Sequence, residues 1–147
     1  MYYLYEDRVD DTQFSFNSVV NSNLSGSMSL NTGVSYRNLN SDNYAKMLDL
    51  MGGNGFVDLD QYSQGDARQN DLNNPNRIIF EDDQFQYDYT IKASVISAFA
   101  QLQNVGKKID YFASAHFENT NYQREGFYKN GRYPDNSLGK SKKESFS

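Results

Sequence analysis

The sequence predicts an all-β fold: an antiparallel transmembrane β-barrel segment of about four long strands with one long extracellular loop. Three observations carry that expectation. Apolar and polar residues alternate with a period of two over runs much longer than the strands of soluble domains. The runs come in two pairs, with a short turn inside each pair and a long connection between them. No stretch reaches 18 consecutive apolar residues, which excludes a transmembrane helix but leaves strands free to cross.

The first pair covers residues 12–20 and 24–37. In the former, Phe14, Phe16 and Val20 alternate with Gln13, Ser15 and Asn17, and Asn21-Ser22-Asn23 supplies the small polar residues of a turn. In the latter, Leu24, Met28, Leu30, Thr32, Val34 and Tyr36 occupy even positions against Ser25, Ser27, Ser29, Asn31, Ser35 and Arg37. Successive strand side chains point to opposite faces, so this run has one apolar and one small-polar face.

The second pair covers residues 84–101 and 109–122. Phe85, Tyr87, Tyr89, Ile91, Ala93, Val95 and Phe99 alternate with Gln84, Gln86, Asp88, Thr90, Lys92 and Ser94, and the pattern blurs around Ile96 and Ala98. Asn104 to Lys108 turns the chain, after which Ile109, Tyr111, Ala113, Ala115 and Phe117 take up the alternation. Crossing a bilayer needs about 9 to 11 tilted residues, and the surplus length extends beyond it. Small polar residues on one face suit a wet lumen, so the apolar face is expected against lipid.

The connection over residues 38–83 is read as extracellular and the two short turns as periplasmic, following the asymmetry of outer-membrane barrels. Within it, Ser41 or Asp42 caps a helix expected to run to Met51, with Tyr44, Met47, Leu48 and Met51 at three and four spacing and Gly52-Gly53 as the stop. Residues 54–62 and 78–81 read as short loop strands or buried anchors, and residues 69–76 as turn or coil.

Composition narrows the chemistry. The 147 residues include 12 Tyr, 10 Phe, 17 Asn and 16 Ser, but no Trp and no Cys. The aromatic load argues against bulk disorder, and the lack of Cys excludes disulfides, thiolate nucleophiles and Cys-based metal sites. A net charge of −5 argues against nucleic acid as a partner, because displacing phosphate counterions takes a surplus of Lys and Arg. The charge is uneven: residues 1–106 hold 6 basic and 14 acidic groups, residues 107–147 hold 8 and 5. Met1 to Asp7 has neither a basic nor an apolar signal region, so a secretory signal is expected upstream if the protein is exported.

The aromatic-ended strand Lys108 to Gly126 and the following Asn136-Ser137-Leu138-Gly139-Lys140-Ser141-Lys142-Lys143 resemble the barrel domain of TonB-dependent outer-membrane receptors, especially of the Bacteroidetes-like kind. The likeness covers most of the chain and lies in barrel periodicity more than in fixed words. It implies an internal fragment of a barrel of about 22 strands, set in the cell outer membrane, that imports a nutrient such as a siderophore, vitamin or glycan. It implies as partners outer-membrane lipid and lipopolysaccharide, the remaining barrel strands and plug, and an energy-coupling inner-membrane complex reached through an N-terminal part outside these residues. The alternative reading is a small secreted or surface β-sandwich that binds glycan through Tyr and Asn. A surface adhesin is a third.

An enzyme is not expected. His116 is the only histidine and has no positioned partner; beside Ser114 and Glu118 it is a candidate lumen contact. In the external loop Tyr44, Asp58, Asp60 and Tyr62 are candidate ligand contacts. Asp58 and Asp60 lack the spacing of a calcium loop, and Glu81-Asp82-Asp83 reads as a polar strand entrance, so no metal or cofactor is expected. Phe85, Tyr87, Tyr89 and Tyr36 are expected in an aromatic girdle at one membrane interface. Lys107 and Lys108 are placed at a periplasmic turn; Arg124, Lys129 and Arg132 fall in the last external segment.

Overall fold

A computed structural model describes residues 2–147, and it is all-β. Its strands are β1 (Leu4–Asn23), β2 (Met28–Asp49), β3 (Phe56–Val57), β4 (Ile78–Ile79), β5 (Gln84–Val105), β6 (Asp110–Gly126) and β7 (Gly139–Phe146). Five of them form one antiparallel sheet in the order β1-β2-β5-β6-β7, so long strands adjacent in sequence are adjacent in space. β3 and β4 make a separate ribbon in which Phe56 faces Ile79. β1 and β7 end the strand order, so among the described residues the sheet is not closed. No helix among them is long and apolar enough to cross a membrane.

The strands run longer than the alternation suggests: 20, 22, 22 and 17 residues for β1, β2, β5 and β6. At about 3.3 Å per residue the longest approach roughly 70 Å. β1 takes in Asn21 to Asn23, and the turn falls one step later, where Leu24 N–H donates to the Met28 carbonyl at 2.9 Å. β7 is an edge strand of 8 residues that the pattern of paired runs did not contain; the Ser147 and Glu118 backbones exchange hydrogen bonds at 2.8 and 3.0 Å beside it.

Where a helix is expected over Ser41 to Met51, residues 41–49 are strand and Leu50 and Met51 enter a turn. Ser41, Asn43, Ala45 and Met47 are all buried while the even positions between them are more open, a period of two. Met47 exchanges backbone hydrogen bonds with Asp82 and Asp83, both at 2.9 Å. Backbone pairing and one-sided burial here override the spacing of Tyr44, Met47, Leu48 and Met51. The long connection therefore starts at Leu50, not at residue 38. It opens with a tight turn in which Gly53 N–H donates to the Leu50 carbonyl at 3.0 Å, with Met51 and Gly52 at φ of 51° and 84°.

Contacts divide the chain into two compact units. One gathers the N-terminal residues up to Thr12, Asn40–Lys92 and Gln123–Lys142; the other gathers Gln13–Leu39, Ala93–Tyr122 and Lys143–Ser147.

The first unit holds the buried core: Ala45, Met47, Leu50, Ile79 and Phe85, with Tyr3, Phe56 and Tyr87 packed against it. Phe85 is 0% exposed, with the rings of Tyr5 and Phe56 edge-on at 5.7 and 6.3 Å. Phe85 therefore does not belong to an interface girdle, because the 50–83 segment folds over it and makes it core. The pair Asp42 and Thr90, whose side chains meet at 2.6 Å, marks the other side of the same strands.

In the second unit the apolar residues sit at the other parity. Ser35 and Ser97 hydroxyls meet at 2.7 Å, and Val105 N–H donates to the Ser27 carbonyl at 2.8 Å, so odd residues of β2 lie beside odd residues of β5. Even residues match likewise, setting Leu30, Val34 and Tyr36 beside Ile96, Ala98, Ala100 and Leu102. From the blurred stretch onward most apolar residues of β5 are even, at Ile96, Ala98, Ala100 and Leu102, while Phe99 stays at the odd parity. Phe14 of β1 reaches Tyr36 at 6.4 Å between ring centroids. Phe127 N–H donates to the Asp88 carbonyl at 3.0 Å, a register that puts the odd residues of β6, among them Tyr111 and Phe117, beside even residues of β5. Gly33 lies under the Phe99 ring, where a Cβ would collide with it.

Candidate functional site

The first unit holds a groove to which five stretches of the chain contribute. The start of β5 supplies Gln86 and Tyr87; the 59–62 segment supplies Asp60, Gln61 and Tyr62; the segment after β6 supplies Asn130. With Tyr3, Tyr5 and Asn70 they enclose about 470 Å³. A smaller cavity of about 170 Å³ shares Asn70, Gln86, Tyr87 and Asn130 and continues to Tyr89, Arg124, Tyr128 and Tyr133. The lining is thus tyrosine rings and side-chain amides, with few charges.

Asp58 holds this lining in place. It is 3% exposed and accepts from Asn70 Nδ2 at 2.8 Å, from Arg77 Nη2 at 2.9 Å and from the Gln86 backbone N–H at 3.0 Å. One carboxylate therefore fixes the Asn70 side-chain amide and the Gln86 backbone N–H. Arg77 also bonds the Gln84 carbonyl at 2.7 Å and lies over the Tyr128 ring, 4.8 Å from its centroid. Burial pulls the Arg77 guanidinium toward neutrality, but Tyr128 and Asp58 outweigh it and its pKa is raised. Burial pushes the Tyr128 hydroxyl up against the opposing pull of Arg77. Arg77 Nε is buried without a hydrogen-bond partner among the described residues.

At the rim, Asp60 accepts from Ser63 Oγ at 2.7 Å, from the Tyr62 N–H at 2.9 Å and from Arg132 Nη2 at 2.9 Å. The Ser63 hydroxyl first, then the Tyr62 N–H, hold its carboxyl below the ordinary range, with Arg132 adding to both. Arg132 thereby fastens the segment after β6 to the 59–63 segment. Gly131 lets them close: its N–H donates to the Gln69 carbonyl at 2.8 Å, and a Cβ would run into the Asp66 carbonyl.

The residues singled out from sequence are placed as follows. Asp60 and Tyr62 line the groove, Tyr62 with 96% of its surface exposed. Asp58 lies beneath the lining, with its oxygens occupied by protein donors. Tyr44 is on strand β2, outside the 50–83 segment, and donates to Asp10 Oδ2 at 2.9 Å. His116 is exposed on β6 in the other unit. Of the basic residues, Arg124 lies 4.9 Å over the Tyr89 ring and bonds the Ser137 carbonyl at 3.2 Å. In the acidic run, Asp82 pairs with Lys46 at 2.8 Å, and the Glu81 and Asp83 carboxylates accept from the Leu50 and Phe80 N–H groups. No group of three or more acidic, His or Cys side chains able to hold a metal exists among the described residues.

Sequence reasoning missed Tyr3, Tyr5, Asn70, Gln86, Tyr128, Asn130 and Tyr133. The one signal for them was the density of Tyr beside Asn and Gln, which does not say which of those residues converge. Comparison of the chain with protein-family models, with curated proteins and with solved structures gave no match in any of the three.

Proposed function

We propose that the chain is part of the barrel of a TonB-dependent outer-membrane receptor that imports a nutrient such as a siderophore, vitamin or glycan. The observation that carries this reading is the apolar parity of the second unit. Across β1, β2, β5 and β6 the positions beside Phe14, Leu30, Val34, Tyr36, Ile96, Tyr111 and Phe117 contain no charged residue. The alternate positions hold Ser, Asn, Gln and Thr at about half of their number and take all the charge, at Arg37, Asp110, His116 and Glu118, beside apolar Val95, Phe99, Phe112 and Tyr122. Val34, Ile96, Phe14 and Phe117 are each at least half exposed.

An apolar patch spread over four strands is larger than a soluble monomer normally leaves open, and hydrocarbon would cover it without demanding hydrogen bonds. From Met28 to Tyr36 is nine residues, about 30 Å of strand, close to the thickness a tilted barrel strand must cross. β1 and β7 carry unpaired edges, which further barrel strands would complete. The plug, lipopolysaccharide and the inner-membrane energy-coupling complex are the remaining partners in this reading. The connections agree in length: residues 24–27 and 106–109 are short, while residues 50–83 are long enough to shape an external mouth.

Cysteine labelling of the full-length protein in intact cells tests it. Cys at Asn74 should react with an impermeant thiol reagent, whereas Cys at Lys107 should react only after the outer membrane is opened. Equal labelling of both in intact cells overturns the topology, and recovery of the protein outside the outer-membrane fraction overturns the location.

A further inference from the structure

We propose that the tyrosine and amide groove is a binding site for a neutral oligosaccharide. Side-chain amides donate and accept at once, as sugar hydroxyls do, and the amide groups of Gln61 and Gln86 have no partner among the described residues. Tyrosine rings offer flat apolar faces for the C–H face of a pyranose, and Tyr62 presents nearly its whole ring to solvent at the rim. The volume of about 470 Å³ falls within the range of small-ligand sites.

Charge argues for a neutral ligand. Arg132, at the rim, is paired with Asp60, and Arg124, which lines the smaller cavity, is engaged by the Tyr89 ring and the Ser137 carbonyl, so neither cation is free for an anion. Asp88, which lines the smaller cavity, repels an anionic chelate or an acidic sugar while accepting from a hydroxyl. A wholly apolar ligand would strip water from the amides without replacing their hydrogen bonds.

The site is also pre-organised. Gln86 sits at a φ of +61°, a conformation unfavourable for a side chain other than glycine, and the buried Asp58 carboxylate holds its N–H. A backbone held in that conformation fixes where the neighbouring Gln86 and Tyr87 side chains leave the strand. Fixing these groups before binding lowers the ordering entropy that a weak, hydroxyl-rich ligand would otherwise have to offset. Capture of such a ligand for import rests on the receptor reading; the binding itself belongs to the groove.

The experiment uses full-length protein, purified from the cell fraction in which it occurs, on an array of neutral and acidic oligosaccharides and a ferric chelate. Titration calorimetry follows with the neutral sugar that binds best. At least one neutral oligosaccharide should bind. Tyr62→Ala and Gln61→Ala, both on exposed positions that the fold does not need, should each weaken it about fivefold or more. Tyr2→Ala, an exposed tyrosine outside the groove, should change affinity less than about twofold. Binding of none of the neutral sugars, binding of only acidic sugars or the chelate, or full affinity in both groove variants overturns the assignment. Sugar binding by protein found outside the outer membrane would leave the groove standing and remove the receptor reading; outer-membrane protein that binds no neutral sugar would do the reverse.

Discussion

Asp58 accepts the backbone N–H of Gln86 at 3.0 Å, across 28 positions of sequence, and Gln86 turns through a φ of +61° at that contact. The same carboxylate takes Arg77 and Asn70. One buried acid thus joins the 50–83 segment to the start of β5 and keeps an unfavourable backbone conformation in place.

Asp58→Ala should therefore destabilise the first unit by about 3 to 5 kcal/mol, because it leaves a partly buried guanidinium, an amide and a backbone N–H without their acceptor. Urea titration followed at a probe in the 50–83 segment measures it. A loss below about 1 kcal/mol would mean that water replaces the carboxylate and that the network is not structural.

An arginine scan of β2 separates the two faces in the second unit. Leu30→Arg should lower the yield of folded protein in the membrane, at a cost of about 2 to 4 kcal/mol if the residue lies near the midplane. Ser29→Arg, one residue away on the opposite face, should assemble nearly as well as the parent. Equal yields would show that neither face meets lipid.

Gly33→Val should disturb the second unit, since its added carbons enter the space of the Phe99 ring and overpacking costs about 1 to 3 kcal/mol. Phe99→Ala in the same chain should recover part of that loss. A double-mutant cycle on heat-modifiable mobility in gels reads the coupling, and strict additivity would deny the contact.

The Asp60 latch should be insensitive to pH through the neutral and weakly acidic range. Its folded pKa lies below the unfolded one, so its stabilisation is complete above the ordinary carboxylate value of about 4 and fades as pH falls through the depressed value. Protection of the Tyr62 amide against hydrogen exchange, corrected for intrinsic rates, should hold down to about pH 4 and then drop. In Asp60→Asn the protection should be lower at neutral pH and lack that acid step. An acid step of the same size in Asp60→Asn would assign it to another group.

Sequence alone determined the strand class and the two-faced character of residues 24–37, because alternation is written residue by residue and needs no partner to be read. It also marked residues 54–62 and 78–81 as short loop strands or buried anchors, and β3 and β4 lie within them. Tertiary structure decided the rest. Residues 41–49 are strand because β5 pairs beside them and Met47 meets Ile79 and Phe85 in the core, a match that spacing along β2 does not contain. The shift of most apolar residues of β5 to even positions from Ile96 onward looked like noise, since a strand's two sides are equivalent until something covers one of them. Likewise Asp60, Asn130 and Gln86 became one groove only when Arg132 and Asp58 tied together segments far apart in the chain. Periodicity is a local property and survives in the sequence; burial and convergence depend on which distant segment folds back, and only the assembled chain fixes that.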